Sequence, residues 1–272
     1  MSTRRTIHAA ALLLALLGAL FSAFMWSKVD ERNRLLAGLL QHALHGVSRA
    51  DTDAVVVALS RDIYDRTNSG IRVEDLPLFE RWEATSFFNV NTSVALKYGA
   101  YGVEGQEQYG PCGTMTRVLL NACWALGIPA RKLQLEPDAL GHYGGHTMLE
   151  FHSRGRWQVI SPSDSSFVWR TRDGSIATVA EIRADSAVFA QIFARYPVYP
   201  YRFARPRHIR WEKLPGPVRS GIRLVLGQRR YDAAETPRLY DQPRSLVFVT
   251  ALAGTALFAL TAWLTRARRA RA

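Results

Sequence analysis

The sequence predicts an α+β domain flanked by two membrane-spanning helices. Three observations predict it. Two apolar runs, one towards each end, carry no formal charge over a membrane's thickness. Between them, one helix with a single apolar face begins at Cys112. Behind that helix come three short segments that read as strands.

The first run, Thr6 to Ser27, has 22 residues and is built on "AALLLALLGALFSAFMW". The second, Ser245 to Thr265, has 21 and is built on "LVFVTALAGTALFALTAWL". About 20 apolar residues span a bilayer core, and Trp26 and Trp263 stand near run ends, where aromatic rings favour the interface. A cleaved signal peptide is the rival reading of the first run. Its small-residue cleavage pattern is poor, because Phe21 stands where a small residue should precede Ala23. A buried core helix is the rival reading of the second, against its length and the arginines behind it. The tails carry Arg4 and Arg5, then Arg266, Arg268, Arg269 and Arg271. Short basic tails stay cytoplasmic, so both termini are expected inside and the middle of the chain in the periplasm or cell exterior of a bacterial cell. Lys28, Arg32 and Arg34 weaken that asymmetry at the first helix.

The net charge of +12 belongs partly to those tails. Without their six arginines, 29 basic residues face 23 acidic ones, a net +6. That is a mildly basic domain and not the footprint of a nucleic-acid binder.

Residues 30–48 read as a helix continuing from the first run. "DTDAVVVALSRDIYDRT" reads as another, capped by Asp51 or Thr52, with Val55, Leu59 and Ile63 on one face. Residues 69–109 read as loop-rich. The clearest helix follows, with Met115, Val118, Leu119, Ala122, Cys123 and Leu126 at helical spacing. Gly127 and Pro129 mark its end. "ARKLQLE", "HTMLEFHS" and "RWQVIS" read as strands, the last two joined by a tight turn at "SRGR". In "HTMLEFHS" the pattern alternates, with Leu149 and Phe151 on one face. Residues 178–195 read as a helix and 198–244 as irregular chain with a basic piece. No internal repeat or low-complexity tract occurs.

Cys112 and Cys123 are the two cysteines. On one helix they stand roughly 16 Å apart at 1.5 Å per residue, and a disulfide needs Cα atoms within about 7 Å. Cys112 falls in the first turn, where unpaired backbone N–H groups and the dipole's positive end favour a thiolate and can hold an oxyanion. Cys123, three turns on, reads as core packing. A thiolate nucleophile works with a base, and His146 opens the second strand. If Arg154 and Gly155 form a two-residue loop, Ser153 pairs with Arg156, and Ser161–Asp164 falls beside His146. Pro162 ends the strand, leaving Asp164 in a turn with its carboxylate free to reach the imidazole.

Cys112 at a helix start, "ALGIPAR" (125–131), His146 opening a strand, Glu150 and Trp157 resemble, in that order and spacing, the transglutaminase-like superfamily, papain-like in chemistry. The resemblance runs from about Tyr109 to Pro162, roughly a fifth of the chain. It implies a Cys–His–Asp triad that performs acyl transfer, with Cys112 as nucleophile and His146 as base, on a Cys-bearing helix packed against an antiparallel sheet. The family's "W", three residues, "DP" departs here to "WQVISP", which puts Ser161 in the Asp position. Three readings stand open. Asp164 takes the third role from three residues on, a weakened Cys–His–Ser triad remains, or catalysis has been lost.

The expected organisation is a tail and first membrane helix (1–27), a helical and loop-rich part (28–108), the catalytic core (109–170), a helical and basic extension (171–244), and a second membrane helix with a basic tail (245–272). The expected function is a membrane-anchored cysteine enzyme acting on amide or ester bonds through a Cys112 thioester, with His146 and Asp164 completing the site and hydrolysis favoured over transfer. The alternative is a degenerate domain that binds a partner or cell-envelope polymer as a scaffold. The expected substrate is a peptide, a protein or such a polymer, and no cofactor is implied.

Four further features have competing readings. "GHYGGH" sets His142 four residues from His146, with His152 nearby, but its glycines do not suit a helix and no matched cluster supports zinc. Trp82 and Gln108 are candidates to line an oxyanion site, against a packed Trp and a solvated Gln. Glu150 reads as an ion-pair partner of a surface arginine. Residues 205–230, rich in arginine with an apolar stripe of Val218, Ile222 and Val225, suit either anionic lipid, an acidic polymer, or a solvated face.

Overall fold

A computed structural model of the chain describes residues 3–67, 73–85, 92–98, 112–135, 146–164, 166–193, 207–209, 211 and 214–267. Tyr109, Gln108 and His142 lie outside them. The chain divides into two compact units, residues 1–34 with 238–272, and residues 35–237.

The first unit is built from helix α1 (Thr3–Ala43), as far as Arg34, and helix α10 (Pro243–Ala267). Both are long and apolar enough to cross a membrane, with mean hydropathies of 2.2 and 1.9 in their most apolar windows. Only 11% and 6% of those windows are buried, which does not fit core helices of a soluble domain. The two helices touch at points between His8 and Arg32 of α1. His8 Nδ1 lies 3.0 Å from the Ala262 carbonyl. Gly18 faces Thr255 so closely that a Cβ would collide with its hydroxyl, the small-residue approach typical of apolar helix pairs. Trp26 packs on Phe248 at 5.4 Å. Beyond the apolar stretch the contacts turn polar. Arg244 donates to Glu31 and to the Lys28 carbonyl, each at 2.9 Å, and Arg32 donates to Ser245 at 3.0 Å.

At 1.5 Å per residue α1 is roughly 60 Å long, about twice a hydrocarbon core. Its last turns, from Leu35, belong to the second unit and bury Leu36 and Leu39 in that unit's core. Helix α2 (Thr52–Thr67) starts where Asp51 accepts from the Ala54 N–H at 3.2 Å, and it buries Val55, Leu59 and Ile63 as its spacing predicts. The stretch read as loop-rich is in part helical. It holds a 3-10 turn (Val73–Asp75), α3 (Leu78–Thr85) and α4 (Thr92–Tyr98). These helices are too short to show a full apolar period in sequence.

Helix α5 (Cys112–Ala125) is the centre of the unit. Every residue from Thr114 to Cys123 is buried, so burial extends well beyond the single stripe its sequence shows. The cause is packing on several sides, by α2, by α4 and by the sheet. The helix ends as its glycine dictates. Gly127 takes φ 74°, its N–H donates to Trp124, and the Ile128 N–H reaches back to Cys123 at 2.9 Å. This is the Schellman pattern, and Pro129 prevents continuation.

Strands β1 (Ala130–Leu135), β2 (His146–Ser153) and β3 (Arg156–Ile160) form an antiparallel sheet in the order β1-β2-β3. Ser153 pairs with Arg156 and Leu149 with Ile160, the register predicted from a two-residue loop. Arg154 and Gly155 both have positive φ, 51° and 75°, the geometry of the hairpin turn whose twist matches the strands. Leu149 and Phe151 face α5, as expected. The other face is not solvated, however. Leu133, Met148 and Val159 pack there with Trp169, Ile182, Val188 and Ile192. The sheet is the middle layer of three.

The outer layer is α6 (Val179–Ala184) and α7 (Ser186–Phe193), where one helix was expected. Thr178 and Glu181 form a capping box for α6, and Asp185 separates the two, accepting from the Ala187 N–H at 2.9 Å. The stretch 198–244, read as irregular, contains α8 (Gly216–Leu226), α9 (Gln228–Ala233) and a 3-10 turn (Arg238–Asp241).

Candidate active site

The site is assembled from three neighbouring pieces of chain: the start of α5, the start of β2 and the turn after β3. Cys112 is the first residue of α5 and is half-buried. One turn later Thr116 donates to the Thr147 carbonyl at 2.9 Å, inside the core. That bond fixes the Cys-bearing turn against the strand residue next to His146. Thr147 itself donates to Gln134 on β1 at 2.8 Å.

His146 occupies the first paired position of β2, opposite Leu135 at the end of β1, and is 7% exposed. Its Nε2 lies 3.0 Å from Ser161 Oγ and 3.3 Å from Asp164 Oδ2. Ser161 Oγ donates its own hydrogen to Asp164 Oδ2, so it accepts from Nε2–H. The carboxylate therefore supports the imidazole both directly and through the hydroxyl. Ser161 and Asp164 are both buried.

The turn that presents Asp164 is closed by the backbone. The Ser161 N–H donates to Phe167 at 2.7 Å, the Asp164 N–H to Ser161 at 3.2 Å, and the Phe167 N–H to Asp164 at 2.9 Å. Phe167 reaches this geometry at φ 58°, an uncommon conformation for a side chain of its size.

Burial pushes the pKa of the His146 imidazole down. Hydrogen bonds to Asp164 and Cys112, with the negative charge of each, outweigh it and raise the pKa to about 9. Cys112 is thus a hydrogen-bond partner of the imidazole. Cys123 is different: burial pushes its thiol up to about 12, as befits a packing residue in the core.

Of the residues singled out in sequence, the structure brings Cys112, His146, Ser161 and Asp164 together. Glu150 pairs with Arg131 at 2.8 Å, as expected, and Arg131 lies over the Trp157 ring at 4.1 Å. These three residues brace the sheet and do not touch the imidazole. Trp82 is 45% exposed and packs on Phe79 at 5.7 Å. Among the described residues no group of three His, Cys, Asp or Glu side chains has the arrangement of a metal site. Thr116 was missed in sequence. Its signal was a hydroxyl on a helix turn otherwise committed to the core, which needs a specific partner.

No family model matches this chain, and no curated protein does. A solved structure described as "Crystal structure of a TGase" is similar to it, at 14% identity and a TM-score of 0.33. The similarity covers 60% of this chain, which spans 37% of the length of that one. Likeness at that level fixes neither fold nor activity.

Proposed function

We propose that the protein is a membrane-anchored, transglutaminase-like cysteine enzyme that cleaves amide or ester bonds through an acyl-thioester on Cys112. The observation that carries this reading is the line of contacts from Cys112 through His146 to Ser161 and Asp164. In it a half-buried thiol at a helix start meets an imidazole whose far nitrogen is held by a buried carboxylate.

In this reading Cys112 is a thiolate beside a protonated His146, and its negative charge is among the causes that raise the imidazole pKa to about 9. Sγ attacks the carbonyl carbon. The oxyanion forms beside the first N–H groups of α5, which have no intrahelical acceptor. His146 gives its proton to the departing amine or alcohol, and the thioester remains. The neutral imidazole then takes a proton from water, which attacks the thioester and releases the acid, while the proton returns to the His146–Cys112 pair. Asp164, with Ser161 between, orients the ring and offsets its charge in the manner of a triad carboxylate. An amine in place of water would give transfer. Hydrolysis is the favoured outcome, since the sequence shows no calcium loop of a regulated cross-linker.

The catalytic core comprises residues 109–170. The two apolar helices cross a plasma membrane, both termini are cytoplasmic, and the core faces the periplasm or exterior. A reporter fused after Ala272 is expected to stay cytoplasmic, and its export would overturn this topology.

The test of the reaction is direct. The full-length protein is mixed with an activated aryl ester and quenched for mass spectrometry. An acyl adduct on Cys112, absent from Cys112→Ala and greatly reduced in His146→Ala, is expected. Ester turnover with no adduct on Cys112 would refute the mechanism.

A further inference from the structure

Helix α8 buries none of its residues, although its sequence is strongly two-sided. Val218, Ile222 and Val225 fall on one face, with Leu226 on one flank, while Leu224 lies about 130° round the helix, beside Ser220. Leu224 is 85% exposed and Val225 83%. A domain helix with such a face normally turns it to the core. Arg219 and Arg223, four residues apart, border it, and α9 adds Arg229 and Arg230. Asp232 on α9, bonded to Gln228, is the one acidic residue of the two helices.

The pair of helices is fastened at its base. Tyr231 of α9 is buried and stacks on Trp211 at 4.4 Å, and the Trp211 indole donates to the Tyr231 carbonyl at 3.1 Å. The attachment therefore uses α9 and leaves Val218 and Val225 of the apolar face of α8 exposed, with Ile222 half-buried. Gly227 to Gln242 then join α8 to α10, the second helix apolar enough to cross a membrane.

Two occupants of known chemistry fit an apolar face with arginines along one edge. An acidic polymer would use the arginines and leave Val218 and Val225 in water. A membrane surface uses both, with side chains in the acyl boundary and cations at lipid phosphates. We propose that α8 lies in the interfacial plane of an anionic leaflet. Val218, Ile222 and Val225 face the acyl chains, and Arg219, Arg223, Arg229 and Arg230 meet phosphate. The proposal rests on α10 spanning the same membrane and goes beyond the chemistry at Cys112.

The experiment uses the full chain in a Cys112→Ser background, reconstituted in vesicles of phosphatidylcholine with or without phosphatidylglycerol. An environment-sensitive dye is placed at Val225→Cys or, on the polar side, Ser220→Cys. The expected result is a blue shift at 225 and not at 220, quenched by doxyl lipid labelled near the headgroup. Replacing Arg219 and Arg223 with Gln should weaken partitioning into anionic vesicles by roughly fivefold per arginine. Three results would overturn the proposal: a dye at 225 that reads water in inserted protein, a shift that follows protein density and escapes doxyl quenching, as for a second copy, or a shift seen only with a soluble polyanion. Alkaline extraction is run in parallel. Release of the protein would show that the spanning reading itself has failed, and the proposal with it.

Discussion

Ser161 Oγ stands 3.0 Å from Nε2 of His146 and passes its own hydrogen to Asp164. A residue in the position where the resemblance implies an aspartate is thus a bridge to a carboxylate three residues further on. Asp164 also approaches the ring directly, at 3.3 Å.

The two residues are predicted to be unequal. Asp164→Ala removes the negative charge behind the imidazolium. It should lower kcat/KM for ester cleavage by on the order of 10²–10⁴, the range associated with losing a triad carboxylate. Ser161→Ala leaves the carboxylate in place and should cost about tenfold or less, in line with one neutral hydrogen bond. Equal losses, or a larger loss from Ser161→Ala, would assign the third role to the serine.

Thr116→Val tests the clamp between helix and strand. The substitution keeps the shape and removes the hydroxyl that meets the Thr147 carbonyl. A destabilisation of about 1–3 kcal/mol is expected from the unsatisfied buried carbonyl, read by chemical denaturation in detergent. Alkylation of Cys112 should slow in the folded variant, because the thiol loses its registration with His146. Unchanged alkylation with reduced stability would make the bond structural only.

Stability should fall on the alkaline side. The folded pKa of His146 is raised to about 9 from the ordinary 6.5. Between those values the folded imidazole holds a proton that the unfolded one has released, while Cys112, a thiolate in the folded pair and a thiol in the unfolded chain below about pH 8.5, has lost one, so the two offset each other and stability is nearly flat from about pH 6.5 to 8.5. Above about pH 8.5 the unfolded chain has released both protons while the folded pair still holds one, and stability falls until the folded imidazole is deprotonated, above about 9. Melting temperature against pH should show that late fall in the wild type and lack it in His146→Ala.

Much of this architecture was legible in local pattern. The apolar runs, the stripe of α5, its Gly127 stop and the β2–β3 register follow from residue spacing and turn chemistry, which act over a few residues. The register alone was enough to set Ser161–Asp164 beside His146. Features decided by distant chain were not legible. The second buried face of β2 depends on Trp169, Ile182 and Val188 arriving from later in the sequence. The break at Asp185 depends on a cap that competes with an otherwise continuous helical pattern. The bridging role of Ser161 depends on a turn closed by Phe167 at positive φ, which its sequence does not announce.

The most direct test of the account is the pH dependence of alkylation at Cys112 in the full-length protein, with Cys123 as internal control and His146→Ala alongside. Fast labelling of Cys112 is expected well below the ordinary thiol pKa of about 8.5. That labelling should be lost in the His146 variant, and Cys123, whose thiol is pushed up to about 12, should be inert. Labelling of Cys112 that rises only near pH 8.5 and is indifferent to His146 would contradict it, and the domain would then be a scaffold without an activated nucleophile.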